Sequence, residues 1–406
     1  MYRMISRELY MKKIRPFIDT DIVKVLTGIR RCGKSVMLEL IKQELLQRGI
    51  AENRFISINF ESKAVSYVKN LDATYEYIKS LTINCTEKMY LFLDEIQELT
   101  GWEQVVNSCM IDFDIDIYIT GSNAKMLSRE LATYLGGRYI EIKMYPFSFK
   151  EVLDVYYQTG KSMSEADLFK QYINLGGMPF LYQYSFDETA SKQYLSDIFD
   201  SIILKDIAAR NKVRDLELLK RMLIYMIANV GNTFSANTIM KYLKNEKRSI
   251  SSETLYNYIE YCKSACLLHL VSREDVMGKK LLSFQEKIYL TDHGIRESIY
   301  GNNERDVNQI LENIIYMELL RKGYTVTIGK SGTLEVDFVA KKGNERIYVQ
   351  VAFLLATDET IEREFSVLET IHDNFPKYVV TMDEFNRSRN GIRHVNIRRF
   401  LLEELV

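Results

Sequence analysis

Proline is scarce in this sequence, with 4 among 406 residues, and that scarcity argues against long disordered or linker-rich stretches. The five cysteines are too few and too scattered for a disulfide framework. No stretch reaches the ~18 uninterrupted apolar residues that a membrane helix needs. The amino terminus is charged and lacks the apolar core of a signal peptide. We therefore expect a cytoplasmic protein without a membrane partner.

An excess of charge of one sign is also missing, because 54 basic side chains stand against 55 acidic ones. This balance excludes a protein that coats nucleic acid with its whole surface, although it is compatible with a local basic face. Hydrophobic residues make up 47% of the chain, which is typical of a well-packed protein. At this length, two or three domains are expected rather than one.

Apolar runs and amphipathic helical patterns alternate up to about residue 150. The runs that indicate strands cover residues 23–26, 55–60, 89–93, 115–119 and 138–142. Strands that alternate with helices indicate a parallel sheet covered on both faces. The sequence thus predicts an α/β fold whose first domain spans residues 1–150.

The helical period dominates between residues 151 and 300. Residues 151–212 are predicted to form a helical lid or linker. In residues 213–300, two short helices are followed by two strands around a turn, which is the order of a winged helix-turn-helix. A helix, three strands, a helix and a strand then predict a small α/β domain over residues 301–406.

The segment from Gly28 to Ser35 fits G-x-x-x-x-G-K-[ST], the phosphate-binding P-loop. Its backbone N–H groups are expected to surround the phosphates of ATP, and the positive end of the following helix adds to the same anion site. Lys34 is predicted to reach the β- and γ-phosphates and to assist catalysis, and the Ser35 hydroxyl is predicted to bind Mg²⁺. The residues predicted to bind nucleotide here are Gly28, Arg30, Arg31, Cys32, Gly33, Lys34, Ser35 and Val36.

The apolar run at residues 89–93 ends in Asp94-Glu95, the pattern called Walker B. Asp94 is predicted to hold Mg²⁺, and Glu95 to orient and polarise the attacking water. An Asp-Glu pair alone is more often a solvated turn, but a P-loop in the same chain favours the catalytic interpretation. The strand pattern at residues 55–60 intervenes between the P-loop and Asp94. With the glutamate after the aspartate, it indicates the additional-strand class of P-loop ATPases.

Polar residues follow the strand pattern at residues 115–119. Ser122 or Asn123 is a candidate sensor of the γ-phosphate, and a capped turn is an alternative of about equal weight. Arg129 and Arg138 come next, and one of them is a candidate arginine finger that acts in cis or across a subunit boundary of a homo-oligomer. The competing interpretation for both is a surface arginine.

Together with Thr120-Gly121-Ser122, Gly137-Arg138-Tyr139 and Gly177-Met178-Pro179, these motifs resemble the prokaryotic AAA+ ATPases close to the archaeal-ATPase and STAND groups. The resemblance covers nearly the whole chain. It implies an ATPase core, a winged helix, and a C-terminal domain of unknown function similar to restriction-endonuclease-like nucleases. It also implies that Gly177 and Pro179 contact the nucleotide and sense its state.

A nuclease of that kind needs a glutamate on a helix, an aspartate on a strand, and (Asp/Glu)-x-Lys on the next strand. Glu312 and Asp337 match the first two requirements, whereas the third element is Gln350-Val351-Ala352. Alanine cannot replace the lysine, and the loss of a carboxylate weakens Mg²⁺ binding. We therefore predict that this domain does not cut nucleic acid.

Two basic clusters are candidate DNA-binding faces, one beside the predicted recognition helix and one in the tail. They comprise Lys241, Lys244, Lys247 and Arg248, and Arg387, Arg389, Arg393, Arg398 and Arg399. A run of charge is more often a solvated face.

The leading hypothesis is an ATP-driven switch or motor that acts on nucleic acid or on a partner protein. The alternative is a nucleotide-dependent DNA- or protein-binding regulator, antitoxin-like or a defence component, with little or no hydrolysis.

Overall fold

The structure is a computed structural model that describes residues 5–403 except 69, 124–134, 159–162, 184–186, 277, 279 and 302–305. The chain divides into two compact units. The first holds residues 1–146 with Ser264–Cys266, and the second holds Phe147–Lys263 and Leu267–Val406. The first border lies within four residues of the border predicted at residue 150.

The first unit is built on a five-stranded sheet. Its strands are β1 Val23–Gly28, β2 Phe55–Asn59, β3 Met89–Asp94, β4 Ile115–Gly121 and β5 Tyr139–Met144. Its described α-helices are α1 Glu8–Ile14, α2 Lys34–Gln47, α3 Leu71–Thr82 and α4 Trp102–Asp112. All neighbouring strands are parallel, and their order is β2-β3-β4-β1-β5. The parallel sheet predicted from the alternating pattern is therefore confirmed.

Burial along the strands explains their places in this sheet. Every residue of β1, β3 and β4 is buried, as expected for central strands that are covered on both faces. In β2, buried and more exposed residues alternate, which fits an edge strand with one covered face. The core between β2, β3, β4 and the helices α3 and α4 includes Ile58, Leu91, Trp102 and Ile117.

The sheet order shows which strand lies between the two Walker strands. The pattern at residues 55–60 forms β2 at the edge of the sheet, so it is not the strand that separates the two Walker strands. That strand is β4, which pairs with β1 on one side and with β3 on the other. The chain order of strands does not reveal their order in a parallel sheet, because each crossover can pass over one or more neighbours.

The second unit combines helices with a seven-stranded mixed sheet. Its helices are α5 Phe149–Gln158, α6 Glu165–Leu175, α7 Pro179–Gln183, α8 Glu188–Ser201, α9 Leu216–Ala228, α10 Ala236–Asn245, α11 Ser252–Ser264, α12 His293–Tyr300, α13 Val307–Arg321, α14 Asp358–Glu369 and α15 Ile397–Leu402. A π-helical segment, Ile202–Ala209, continues α8. The strands are β6 Leu268–Asp275, β7 Lys280–Leu290, β8 Thr325–Ser331, β9 Leu334–Lys342, β10 Glu345–Val351, β11 Lys377–Thr381 and β12 Ile392–Asn396.

This sheet has the order β12-β11-β10-β9-β8-β6-β7 and runs across the border predicted at residue 300. The β6–β7 hairpin, predicted as the wing, pairs through β6 with β8 and thereby joins the carboxyl-terminal strands. Helices α10 and α11 lie close to their predicted positions. The winged helix and the borders at residues 212 and 300 stay predictions.

Two carboxyl-terminal elements were not predicted. Strand β12 extends the sheet beside β11, and α15 follows it directly. Among the described residues, no helix combines the length and the apolar character needed to cross a bilayer.

Candidate functional site

The P-loop predicted from the sequence connects β1 to α2, so its backbone lies at the carboxyl edge of the parallel sheet. Gly33 caps α2 with a left-handed φ of 101°, and Arg31 also has a left-handed φ, of 69°. Left-handed residues interspersed with right-handed ones turn successive N–H groups towards one concavity, which is an anion-binding geometry. Lys34 is buried in the first turn of the helix.

Gly28 shows why a glycine begins this loop. Its φ is 154°, and a Cβ atom placed there would lie 2.3 Å from the backbone oxygen of Met144 on the neighbouring strand β5. Any larger residue would therefore push the base of the loop away from the sheet. The Lys34 ammonium lies 3.1 Å from the Gly28 oxygen and 3.3 Å from the Ile29 oxygen.

The Asp94 carboxylate, at the end of β3, receives hydrogen bonds from three different segments. The Ser35 hydroxyl donates to it at 3.1 Å from the start of α2. The Asn59 amide donates at 2.8 Å from the end of β2, and the Thr120 hydroxyl donates from β4. Asp94 is thus held at the point where the carboxyl ends of three neighbouring strands meet the P-loop helix.

Glu95 directly follows Asp94 and has a left-handed φ of 52°. Its backbone N–H donates to the Thr120 hydroxyl at 3.0 Å, and its carboxylate accepts a hydrogen bond from the Gln97 amide. The same carboxylate lies 3.8 Å from the Lys34 ammonium. The general-base candidate and the phosphate-binding lysine are therefore neighbours.

The oxygen donors at this position fit a magnesium ion. Mg²⁺ prefers hard oxygen ligands and is usually held by one or two protein groups together with phosphate oxygens. The Ser35 hydroxyl and the Asp94 carboxylate supply such oxygens 3.1 Å apart, beside the loop that is predicted to hold the phosphates.

The other predicted loop residues differ in their surroundings. Cys32 is buried, while Arg31 and Val36 are exposed. Arg30 is 9% exposed and lies 3.2 Å from the Glu61 carboxylate. Their contacts with nucleotide stay predictions.

The two sensor candidates lie at the carboxyl end of β4, and their role stays a prediction. Ser122 and Asn123 are both buried directly after β4. Thr120, on the same strand, contacts both residues of the Walker B pair, and the sequence reasoning did not select it as a sensor. Asn59 was missed as well. Each is a polar side chain at the carboxyl end of a buried parallel strand, and that signal was available in the sequence.

The two arginine-finger candidates have different outcomes. Arg129 lies outside the described residues. Arg138 precedes β5, and its backbone oxygen accepts a hydrogen bond from Val23 at the start of β1. Because β1 has six residues, Arg138 lies roughly 20 Å along the strands from the P-loop. Its guanidinium donates to Asn107 at 2.9 Å. A role in cis is therefore contradicted, and a role across a subunit boundary stays a prediction.

Gly177 and Pro179 belong to the second unit. The Gly177 N–H donates to the Asp292 carboxylate at 2.8 Å, and a Cβ atom on Gly177 would lie 2.2 Å from the Phe147 oxygen. Pro179 begins α7. These contacts give the glycine a packing role, and contact with nucleotide stays a prediction for both residues.

The nuclease-like residues of the second unit surround a lysine. The Lys287 ammonium, on β7, lies 2.7 Å from Glu335, 3.3 Å from Glu312 and 3.9 Å from Asp337. Burial alone lowers the pKa of this ammonium, but the three carboxylates outweigh burial and raise it. Burial raises the pKa of Glu312 and of Asp337.

Lys287 brings to Glu312 and Asp337 the ammonium group that the motif lacks at Ala352. The lysine already supplies the positive charge that they face. Gln350 is also engaged: its carbonyl oxygen accepts from the Asp337 N–H at 3.1 Å, and its amide donates to Glu364 at 2.8 Å. Across the described ranges, no group of three or more histidine, cysteine, aspartate or glutamate side chains has a geometry suited to a metal ion.

The two basic clusters differ in how far ion pairs neutralise them. In the tail, Arg389 pairs with Glu362 and Glu369, and Arg398 pairs with Glu384 and Glu165. Near α10, Arg248 pairs with Glu217. The remaining basic residues of that cluster are exposed and, in the described part of the chain, make no ion pair; they are Lys241, Lys244 and Lys247.

Comparison with known proteins agrees with the geometry of the first unit. Residues 20–153 match a sequence family described as an AAA domain, and residues 166–306 match one described as a domain of unknown function (DUF8612). The Walker-type ATPase of Pyrococcus abyssi has a similar fold, with a TM-score of 0.52 at 14% identity over 74% of this chain and 96% of that one. The first unit therefore contains an AAA domain and has the fold of a P-loop ATPase.

Two relatives align along most of the chain. An uncharacterized protein of Haemophilus influenzae is 38% identical over 401 residues, which are 98% of this chain and 99% of that protein. An uncharacterized protein of Methanocaldococcus jannaschii is 30% identical over 380 residues, which are 90% of this chain and 81% of that protein. This chain belongs to the family of AAA-domain proteins that includes these two relatives.

Proposed function

We propose that this protein hydrolyses ATP with Mg²⁺ and uses the nucleotide state to change its action on DNA or on a partner protein. The observation that carries the proposal is the meeting of Ser35, Asp94 and Glu95 beside Lys34, at the carboxyl edge of the sheet. In P-loop ATPases, catalysis consists chiefly of positioning and electrostatic stabilisation. These four side chains supply the groups for both.

Each side chain has a defined part in this proposal. The loop N–H groups and the Lys34 ammonium bind the phosphates, and the ammonium stabilises the charge that develops on the γ-phosphoryl group. Ser35 and Asp94 hold Mg²⁺, which neutralises phosphate charge when bound. Glu95 accepts a proton from the water whose oxygen attacks the γ-phosphorus, and the bond to the β-phosphate oxygen breaks to leave ADP. Thr120 holds Asp94 and the Glu95 backbone in register.

The test is steady-state ATP turnover of the full chain with Mg²⁺, beside Glu95→Gln and Lys34→Ala variants. We expect wild-type turnover, ATP binding without turnover in Glu95→Gln, and loss of binding in Lys34→Ala. ATP binding without turnover in the wild type would support the alternative, a nucleotide-dependent regulator. Absence of ATP binding by the wild type would reject both.

Duplex DNA is the partner favoured by the exposed lysines near α10. Lys241, Lys244 and Lys247 are exposed and available for phosphate contacts, whereas Arg389 and Arg398 of the tail cluster are held in ion pairs. If all three lysines contact phosphates, replacing them with glutamine should reduce the salt slope of DNA binding, d log K/d log[salt], by about 3. Arg389→Gln serves as the control in the tail. Equal slopes for the triple variant and the wild type, or no DNA binding at all, would favour a protein partner.

For the carboxyl-terminal domain, we propose a docking or binding role without nuclease activity. The missing carboxylate at position 350 and the engaged side chain of Gln350 support this proposal. Incubation of the full chain with plasmid and single-stranded DNA, with Mg²⁺ or Mn²⁺ and ATP, should leave both intact. Cleavage that disappears in an Asp337→Asn variant would contradict it.

A further inference from the structure

We propose that Arg7 is a positioning residue of the nucleotide site, which holds the P-loop in its phosphate-binding form from a segment that precedes the sheet. Arg7 is a charged residue that is only 3% exposed. It immediately precedes α1, some 20 residues before the P-loop motif. The inference rests on the proposed ATP site, and it concerns a residue outside every motif described above.

The guanidinium of Arg7 joins two backbone carbonyls from separate parts of the first unit. One nitrogen donates to the Cys32 oxygen in the P-loop at 2.7 Å, and another donates to the Tyr145 oxygen just after β5 at 2.8 Å. Both distances are those of good charge-assisted hydrogen bonds. Arg7 therefore links the loop to the strand end against which Gly28 packs.

The neighbourhood holds the guanidinium in place. It lies over the Tyr10 ring, 4.7 Å from the centroid. The Tyr10 hydroxyl in turn accepts a hydrogen bond from the Tyr145 N–H at 3.0 Å. Both backbone polar groups of Tyr145 are thus bound by side chains of the amino-terminal segment. Arg7 itself has a left-handed φ of 43°, an uncommon conformation for a residue other than glycine.

The consequence for the loop follows from peptide geometry. In a planar trans peptide, the C=O and the N–H point in opposite directions. Fixing the Cys32 oxygen on Arg7 therefore fixes the direction of the Gly33 N–H, which lies on the far side of the same peptide. Gly33 and Arg31 both have left-handed φ values. Because glycine adopts left-handed and right-handed φ values with similar ease, the peptide between Cys32 and Gly33 could otherwise rotate at little cost. Arg7 selects one orientation before the nucleotide arrives.

A matched control exists in the same unit. Arg54 also donates its guanidinium to a backbone oxygen, that of Lys88 at 2.8 Å, and lies 5.6 Å from the centroid of the Tyr90 ring. Lys88 precedes β3, so this arginine is at the amino edge of the sheet and far from the P-loop. Arg7→Ala and Arg54→Ala remove similar interactions, and only the first lies at the proposed site.

The experiment is calorimetric titration of ATP and of ADP, with Mg²⁺, into each variant in a Glu95→Gln background, combined with turnover in the wild-type background. We expect Arg7→Ala to raise the Kd of both nucleotides about tenfold or more, because one charged hydrogen bond to the loop is lost. The turnover rate at saturating ATP should change by less than about threefold, since the loop contacts the ground state and the transition state alike. Arg54→Ala should keep the wild-type Kd.

Two further measurements separate positioning from loss of fold. Guanidinium chloride at a few tens of millimolar should restore much of the affinity of Arg7→Ala relative to equal sodium chloride, and should not affect Arg54→Ala. Arg7→Lys can reach only one of the two carbonyls and should therefore have an intermediate Kd. If Arg7→Ala does not fold, the Kd of Arg7→Lys tests the inference in its place. A wild-type Kd in Arg7→Ala, or in Arg7→Lys if only that variant folds, would overturn the inference. A wild-type protein that binds no ATP would instead reject the proposed function.

Discussion

Thr120 and Asp94 are joined by a hydrogen bond in which the threonine hydroxyl donates to the carboxylate. The same hydroxyl accepts the backbone N–H of Glu95 at 3.0 Å. One side chain of β4 thus sets the position of the acidic pair Asp94-Glu95 at the carboxyl end of β3. The bond exists because β4 lies between β1 and β3 in the sheet.

Thr120→Val should lower the turnover rate about 10- to 100-fold, because it removes a hydrogen bond to a charged group and leaves the Glu95 N–H without its acceptor. Thr120→Ser keeps the hydroxyl and should stay within a few-fold of wild type. Steady-state ATP turnover measures the effect. Thr74→Val is the control, because Thr74 is also buried and donates to a backbone oxygen, that of Asn70 at 2.8 Å. Equal losses in both valine variants would show a general defect of packing.

Arg138→Ala should leave turnover within about twofold of wild type, because Arg138 lies at the opposite edge of the sheet and is bound to Asn107. The measurement is turnover over a range of protein concentrations. A loss that is repaired by mixing with the Lys34→Ala variant would contradict this expectation. It would show that Arg138 acts across a subunit boundary.

Lys287→Met should reduce the free energy of unfolding by about 3 to 5 kcal/mol, because it leaves three carboxylates without their buried partner. The pKa values of Glu312 and Asp337 are raised by burial. The loss should therefore shrink as the pH falls and these groups take up protons. Urea unfolding at several pH values measures it. Lys263→Met is the control: Lys263 pairs with Glu260 at 2.6 Å, both side chains are exposed (39% and 42%), and about 1 kcal/mol or less is expected. Equal losses would contradict the role of Lys287.

Asp292 and His293 should affect the pH dependence of stability in opposite directions. Burial raises the pKa of Asp292 to about 6 and lowers the pKa of His293 to about 4. Between about pH 4 and 6, folded Asp292 keeps a proton that the unfolded chain releases, so stability falls as the pH rises. Folded His293 lacks a proton that the unfolded chain binds up to about pH 6.5, so stability rises.

Each effect amounts to about 3 kcal/mol, and in the wild type the two nearly cancel. His293→Gln should therefore make stability fall as the pH rises from 4 to 6, relative to wild type, and Asp292→Asn should make it rise. Urea unfolding at pH 4.5, 5.5 and 6.5 tests both variants. Curves parallel to that of the wild type in both would show that neither group titrates as its burial implies.

The sequence by itself determined the local parts of this protein. Helix α2, Lys34–Gln47, directly follows the P-loop as the sequence predicts. The P-loop and the Asp94-Glu95 pair are recognisable because each is a continuous segment whose chemistry depends on neighbouring residues. Hydrophobic period and backbone conformation act over a few residues, so they can be read from a short stretch of chain.

Only the tertiary structure decided which distant residues meet. Asn59 and Thr120 reach Asp94 from two other strands, Arg7 reaches the P-loop from before the sheet, and Lys287 reaches Glu312 from a hairpin predicted to be a wing. These contacts depend on strand order and on crossovers, which local patterns do not specify.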